Sequence, residues 1–250
     1  MLIAQLSDIH ATAGNDNLQR LRQAVDWLIS LQPDMVVLTG DLTDDGWHEG
    51  YLAIATELRR LSCPTRILPG NADDKQVMCA ALPDFAHRRP TDALHFSEVV
   101  AGVPLIGVDV TVSGESGGDI RPHLAWLETA LAAYPQPAVI FLHQHLFTSG
   151  ITPIDSAICL GAEALFPLFS RLAFPPLALC SGHVHRTASA VVAGVPALIC
   201  GSICPANPLL LEDRPVQPVT DPVTLMIHDV CNGERVSHVV ALQAQASPSQ

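Results

Sequence analysis

Seven side chains that can donate an electron pair to a cation stand at five places in the chain: Asp8 and His10, Asp41, Asn71, His143, and His183 with His185. Asp8 and His10 are two residues apart, as are His183 and His185. In an extended segment such residues face the same side, so each pair can contribute two ligands. Mixed imidazole and oxygen donors suit Mn, Fe, Zn or Co and disfavour Ca, and with no thiolate among them nothing selects Zn alone. Taken singly, each residue has a plainer explanation: an Asp behind a strand caps a helix or closes a turn, and a lone His is a satisfied surface or core group. Their joint placement is what points to chemistry.

That placement follows a rhythm of short apolar runs alternating with longer stretches of helical period, as a layered α/β protein requires. The runs are LIAQLSD (2–8), DMVVLTGD (34–41), TRILPGN (65–71), PLIGVD (104–109), PAVIFLH (137–143), PLALCSGH (176–183) and PALICGS (196–202). The donors close five of them. In open α/β sheets the loops beyond the carboxyl ends of the strands form the ligand crevice, so residues distant in sequence can converge there. Between the runs, Leu18, Leu21, Val25 and Leu28 share one helical face ahead of Pro33, and Tyr51, Ile54, Leu58 and Leu61 share another. The stretch 121–134 reads as a third helix with Pro122 in its first turn, and 161–174 as a fourth that must accommodate Pro167.

With 250 residues, 48% of them hydrophobic, the chain can bury one large core. One domain is expected over 1–242, with the Pro-rich 204–222 as a loop or cap and 243–250 as a flexible tail. No apolar run reaches the roughly 18 residues of a membrane span, and the N-terminus has no basic leader, so a soluble cytoplasmic protein is expected. The net charge of -12 opposes a nucleic-acid polymer as partner. Seven cysteines at irregular spacing, with no CxxC pair, read as reduced thiols, Cys204 among them as packing.

The motifs SDIH, TGDLTDDG, PGNADD, FLHQH and SGHVH, in this order over residues 1 to about 190, resemble those of the calcineurin-like binuclear metallophosphoesterases: D-x-H, G-D, G-N-H-[DE], H and G-H-x-H. The finer texture looks most like the branch containing bacterial cyclic-nucleotide phosphodiesterases and glycerophosphodiesterases. The resemblance implies a four-layer α/β/β/α sandwich with two mixed sheets flanked by helices. It implies two divalent ions, one held by Asp8, His10, Asp41 and His185 and the other by Asp41, Asn71, His143 and His183, with Asp41 shared. Such a pair would turn a water between the ions into hydroxide for attack on a small-molecule phosphodiester. It also implies phosphomonoester hydrolysis as a variant, and it allows a homo-oligomer.

The pattern is broken at Ala72, where the family has a histidine that lies near the substrate. A methyl group can neither stabilise charge nor assist a leaving group, so the chain is expected to keep its metals and to suffer most with alkoxide leaving groups, or else to be a weakened binder of metal and phosphate. A natural variation and a deliberate replacement of histidine would both leave alanine here. His145, two residues past His143 in an extended HQH, is the candidate catalytic residue, either contacting the substrate or taking over the missing proton handling; the plainer alternative is a backing or exposed histidine. Asp73 and Asp74 are expected to cap the next helix before any role in orienting a ligand. Asp109 ends a run near the site without a ligand role. His48, His87, His95, His123, His228 and His238 lie outside every motif and read as ordinary, and Trp126 and Leu127 as core.

Overall fold

The computed structural model describes residues 1–85, 92–210 and 221–243. The first sheet contains β1 (Leu2–Leu6), β2 (Met35–Thr39), β3 (Thr65–Leu68), β12 (Val223–Cys231) and β13 (Glu234–Leu242), in the order β13-β12-β1-β2-β3. The second contains β4 (Phe96–Val100), β5 (Val103–Gly107), β7 (Val139–Phe141), β9 (Ala178–Ser181), β10 (Ala188–Val192) and β11 (Val195–Ile199), in the order β10-β11-β9-β7-β5-β4. The first runs parallel from β1 to β3 and antiparallel through β12 and β13 at its other side, and the second has a parallel centre with an antiparallel strand at each margin. A small third pair joins β6 (Gly118–Asp119) to β8 (Cys159–Leu160).

The two large sheets pack face to face through Ile3, Met35, Val37 and Leu68 on one side and Leu105, Val139, Phe141 and Cys180 on the other. Helices α1 (Asn17–Leu31), α2 (His48–Leu58) and α3 (Lys75–Ala81) cover the outer face of the first sheet; α4 (Leu124–Ala132) and α6 (Leu165–Phe169) cover that of the second, with α5 (Thr152–Asp155) a single turn between β7 and β8. This is an α/β/β/α sandwich. The expected helical faces are the buried ones: Leu21, Val25 and Leu28 of α1 and Tyr51, Ile54 and Leu58 of α2 are all enclosed. Asp16 makes no side-chain cap on α1. A cap is worth about 1 kcal/mol and each enclosed Leu or Val about 1.5–3 kcal/mol, so packing outweighs the missing Asp16 cap.

Two sequence expectations change. The stretch 161–174 is not one helix but a tight turn at Ala162–Ala164 followed by the five residues of α6. Pro167 lies in the first turn of α6, where its missing N–H would have no helical partner in any case. The hairpin β12–β13 was not expected at all. Both faces of β12 are covered and its enclosed row includes His228, which hides the polar-apolar alternation of a strand. His228 Nε2 donates to Gln5 Oε1 (3.1 Å), and Gln5 Nε2 donates to Thr39 Oγ1 (3.1 Å) and the Ser181 carbonyl (3.0 Å). A satisfied polar network thus joins β12, β1, β2 and β9 beneath the site. His87, residues 211–220 of the expected loop or cap, and 244–250 of the expected tail lie outside the described residues. Among the described residues no helix is long and apolar enough to cross a membrane.

Candidate metal centre

Parallel strands deliver the donors. Asp8, Asp41, His143 and His183 each stand two residues beyond the end of β1, β2, β7 and β9, and Asn71 three beyond β3. The loops are zipped together by backbone hydrogen bonds: Asp8 N to Gly40 O (3.1 Å), His10 N to Asp41 O (2.9 Å), Gly182 N to His143 O (2.9 Å) and Cys204 N to Asp8 O (2.9 Å). In consequence Asp8, His10, Asp41, His183 and His185 have positive φ of 55°, 47°, 54°, 71° and 57°. That left-handed region costs a residue with a side chain about 1–2 kcal/mol, and clusters of such residues mark functional sites. The motif glycines answer to crowding. A Cβ at Gly70 would lie 2.1 Å from Asp41 Oδ1, and one at Gly40 2.6 Å from His143 Nδ1.

All seven residues come together. The donor atoms of Asp8, His10, Asp41 and His185 lie within 4.8 Å of one another, as do those of Asp41, His143 and His183. Asn71 Oδ1 is 3.2 Å from His143 Nε2 and so joins the second group. Asp41 belongs to both. Its Oδ2 is 3.2 Å from His10 Nε2 and 3.2 Å from His143 Nε2, while its Oδ1 accepts the Ala72 backbone N–H at 2.8 Å. The junction is therefore one oxygen, not two.

The ring tautomers show whether cations fit. His10 Nδ1 donates to Asp44 Oδ1 (2.6 Å) and His143 Nδ1 to the Thr39 carbonyl (2.5 Å), which leaves each Nε2 with a lone pair. Those lone pairs face Asp41 Oδ2 and further ring nitrogens: His10 Nε2 is 3.0 Å from His185 Nε2, and His143 Nε2 is 3.2 Å from His183 Nδ1. With the hydrogens of His183 and His185 likewise on their far nitrogens, as ligation requires, electron pairs would converge here, and a proton or a metal ion would have to lie between them. In the ion-free protein protons take that place. Burial opposes a charge on His10, but Asp41 and Asp8 overcome it and lift the ring to about 10; burial likewise opposes charge on His143, and Asp41 lifts it to about 9. Asp41 is held well below the usual carboxylate range, burial being outweighed by His143 and His10. His183, buried and beside the His143 charge, falls to about 3 and stays an open donor.

A family model described as calcineurin-like phosphoesterase matches residues 1–187. The chain belongs to that family. A probable glycerophosphodiester phosphodiesterase of Arcobacter nitrofigilis is 28% identical over 91% of this chain and 88% of its own length. A probable cyclic nucleotide phosphodiesterase of Rhodopseudomonas palustris is 30% identical over 78% of this chain and 76% of its own. A solved dimetal phosphatase from Danio rerio shares the fold, with a TM-score of 0.70 at 13% identity over 95% of this chain and 98% of that one.

Around this phosphoesterase's candidate donors lie groups to which sequence reasoning assigned no part, as with Asp44, or a part that the structure now refines. Asp44 orients His10 across 34 positions in the chain. Cys204 Sγ sits 3.3 Å from His185 Nδ1; burial raises its thiol to about 12 in the ion-free protein, and its sulfur forms with His10 and His185 a further group of atoms within 4.8 Å of one another that could hold an ion. The two aspartates after Asn71 divide their work. Asp74 Oδ1 caps α3 by accepting from Gln76 N and Val77 N, as expected. Asp73 does not cap; its Oδ2 accepts from Gly70 N (2.9 Å) and its Oδ1 from Leu42 N (3.0 Å) and Tyr51 Oη (2.9 Å), bracing the Asp41 loop against the Asn71 loop. Burial, with the Asp41 charge, raises Asp73 to about 6.

His145 is fully enclosed. Its Nε2 lies 3.2 Å from Asp155 Oδ1, and its ring stacks on His183 at 5.4 Å and 19°. Asp155 also accepts from Ser149 N (2.8 Å) and Gly150 N (2.9 Å), so the pair ties the loop after β7 to the back of a donor ring.

Proposed function

We propose that Asp8, His10, Asp41 and His185 hold one divalent ion and Asp41, Asn71, His143 and His183 a second, and that the enzyme hydrolyses phosphodiesters of small molecules. The carrying observation is the pair of electron-rich nests that meet at Asp41 Oδ2. Two ions in such nests bring Lewis acidity, lowering the pKa of water toward neutrality and polarising phosphoryl oxygens. The ion positions also reconcile an anionic substrate with a chain of net charge -12, since local cations attract what the surface as a whole would not. Glycerophosphodiesters and cyclic nucleotides are the substrate classes named for the relatives. Imidazole and oxygen donors favour Mn, Fe, Zn or Co.

The chain's own residues do the positioning. Asp44 and the Thr39 carbonyl keep the Nε2 lone pairs of His10 and His143 on the inner side. His145 acts through His183, holding that ring by stacking. Unpaired thiols at all seven cysteines accord with a cytoplasmic location.

The test is reconstitution. Metal-stripped protein titrated with Mn and assayed on bis(p-nitrophenyl) phosphate should show turnover that rises with the ion, because a phenolate leaves without a proton donor at position 72. Tight binding of inorganic phosphate without turnover would instead support a non-hydrolytic binder.

A further inference from the structure

Next to the candidate metal centre lies a cavity of about 580 Å³, and Asn71 lines it as well as belonging to the second donor group. A diester whose phosphorus sits at the donors therefore has room for one of its alcohol portions on this side. Lys75, Gln76, Thr111, Ser113 and His123 are polar side chains of the wall beside the carboxylates of Asp73, Asp74, Asp92 and Asp109, whereas Ala93 and Val112 are its apolar ones. Among the described lining residues there is no Phe, Tyr or Trp on which a base could stack.

Nor do the described lining residues offer an unmatched cation to a second phosphate. Lys75 Nζ is 2.6 Å from Asp109 Oδ2, which also accepts from Leu94 N (2.9 Å); Asp109 Oδ1 accepts from Thr111 Oγ1 (2.7 Å) and Thr111 N (3.1 Å). The lysine's charge is matched by an enclosed carboxylate. A neutral, hydroxylated group suits such a wall better than an anion.

His123 supplies the directed donor. The backbone N–H of Asp109 donates to His95 Nδ1 (2.9 Å), so that nitrogen carries a lone pair and the His95 hydrogen is on Nε2. His95 Nε2 then donates to His123 Nδ1 (3.2 Å), which fixes the His123 hydrogen on Nε2. His95 is itself clamped, stacked on Trp126 at 4.2 Å and 22°. Burial lowers the His123 pKa, so the ring is neutral near pH 7 and its Nε2–H is an uncharged donor.

We propose that this cavity receives the alcohol portion of the substrate as a small polyol, and that His123 is a specificity-determining residue whose Nε2–H bonds to one of its hydroxyls. The proposal rests on the phosphodiesterase reading above. It makes two residues expected to be ordinary, His95 and His123, into a relay that sets the direction of one hydrogen bond.

Two measurements test it. In zinc-loaded protein labelled with ¹⁵N at histidine, the ring spectrum of His123 should show the Nε2–H tautomer, and sn-glycerol 3-phosphate should shift that Nε2. A His123 with its hydrogen on Nδ1, or an Nε2 that ignores the ligand, overturns the proposal regardless of turnover. In kinetics on the metal-loaded enzyme, His123→Ala should raise KM for sn-glycero-3-phosphoethanolamine about tenfold, the scale of one lost hydrogen bond, and leave bis(p-nitrophenyl) phosphate within about twofold. His123→Gln, which keeps an N–H at similar reach, should recover most of that loss. Equal effects on both diesters, or none, would refute the assignment. A wild-type enzyme that cleaves neither diester would refute the phosphodiesterase reading instead, and the ring spectrum alone would then decide the cavity's role.

Discussion

The first donor group contains two carboxylates, Asp8 and Asp41, whereas the second contains only the Asp41 that it shares, with the neutral amide of Asn71 in place of another charge. Their surroundings differ too. In the first group both imidazoles have a partner on the far nitrogen, His10 on Asp44 and His185 on Cys204. In the second, His143 is held by the Thr39 carbonyl, but the far nitrogen of His183 is buried without a partner among the described residues. Charge and orientation both favour the first group, so it should bind its ion more tightly and fill before the second. On this reading one fold would place a firm site and a yielding site on either side of one oxygen atom.

The comparison is broken most completely at the shared residue. Asp41→Asn should abolish binding of both ions together, not one after the other, and bring turnover to the metal-free level; metal analysis of the purified variant reads this directly. Ala72→His acts beside the Asn71 side of the junction and should raise turnover of alkyl diesters by about 10²-fold or more, with little change for aryl diesters, if that position hosts proton transfer to the leaving group. Asp44→Asn should weaken the first ion by about 10–100-fold while sparing the second, and Cys204→Ala should do the same more weakly, because a thiol sulfur is a poorer acceptor than a carboxylate. Metal titrations of the two variants would reverse or blur the order of filling.

The smallest effect is on stability. The folded-state values of His10 and His143, about 10 and about 9, lie above the ordinary 6.5. Their contribution to stability is thus fully present below about pH 6.5 and is lost as the pH rises through 9 to 10. Asp41 has the opposite sign: its contribution is present above the ordinary carboxylate value and is lost on acidification. Metal-stripped protein should therefore lose thermal stability from pH 7 to 10. A metal ion replaces those protons, so the gain in melting temperature on adding Mn should widen over the same range.

The convergence of the seven candidate donors was legible in the sequence because they stand at or just past the ends of apolar runs and the parallel strands of this fold send their carboxyl ends to one edge. The sandwich followed from that rhythm together with the family resemblance. What surrounds the donors was not legible. Asp44 differs from Asp45, and Asp73 from Asp74, only in where the chain turns, and Cys204 reaches His185 through a loop that no periodicity describes. The His95–His123 pair escaped for the same reason: its meaning lies in a backbone N–H of Asp109 that picks a tautomer.

The central claim is that two ions share Asp41. A crystal soaked in manganese, measured at an anomalous wavelength, should show two peaks roughly 3.5–4 Å apart on either side of Asp41 Oδ2, the stronger beside Asp8 and His185. A single peak at saturating manganese, or none within reach of Asp41, would contradict the account.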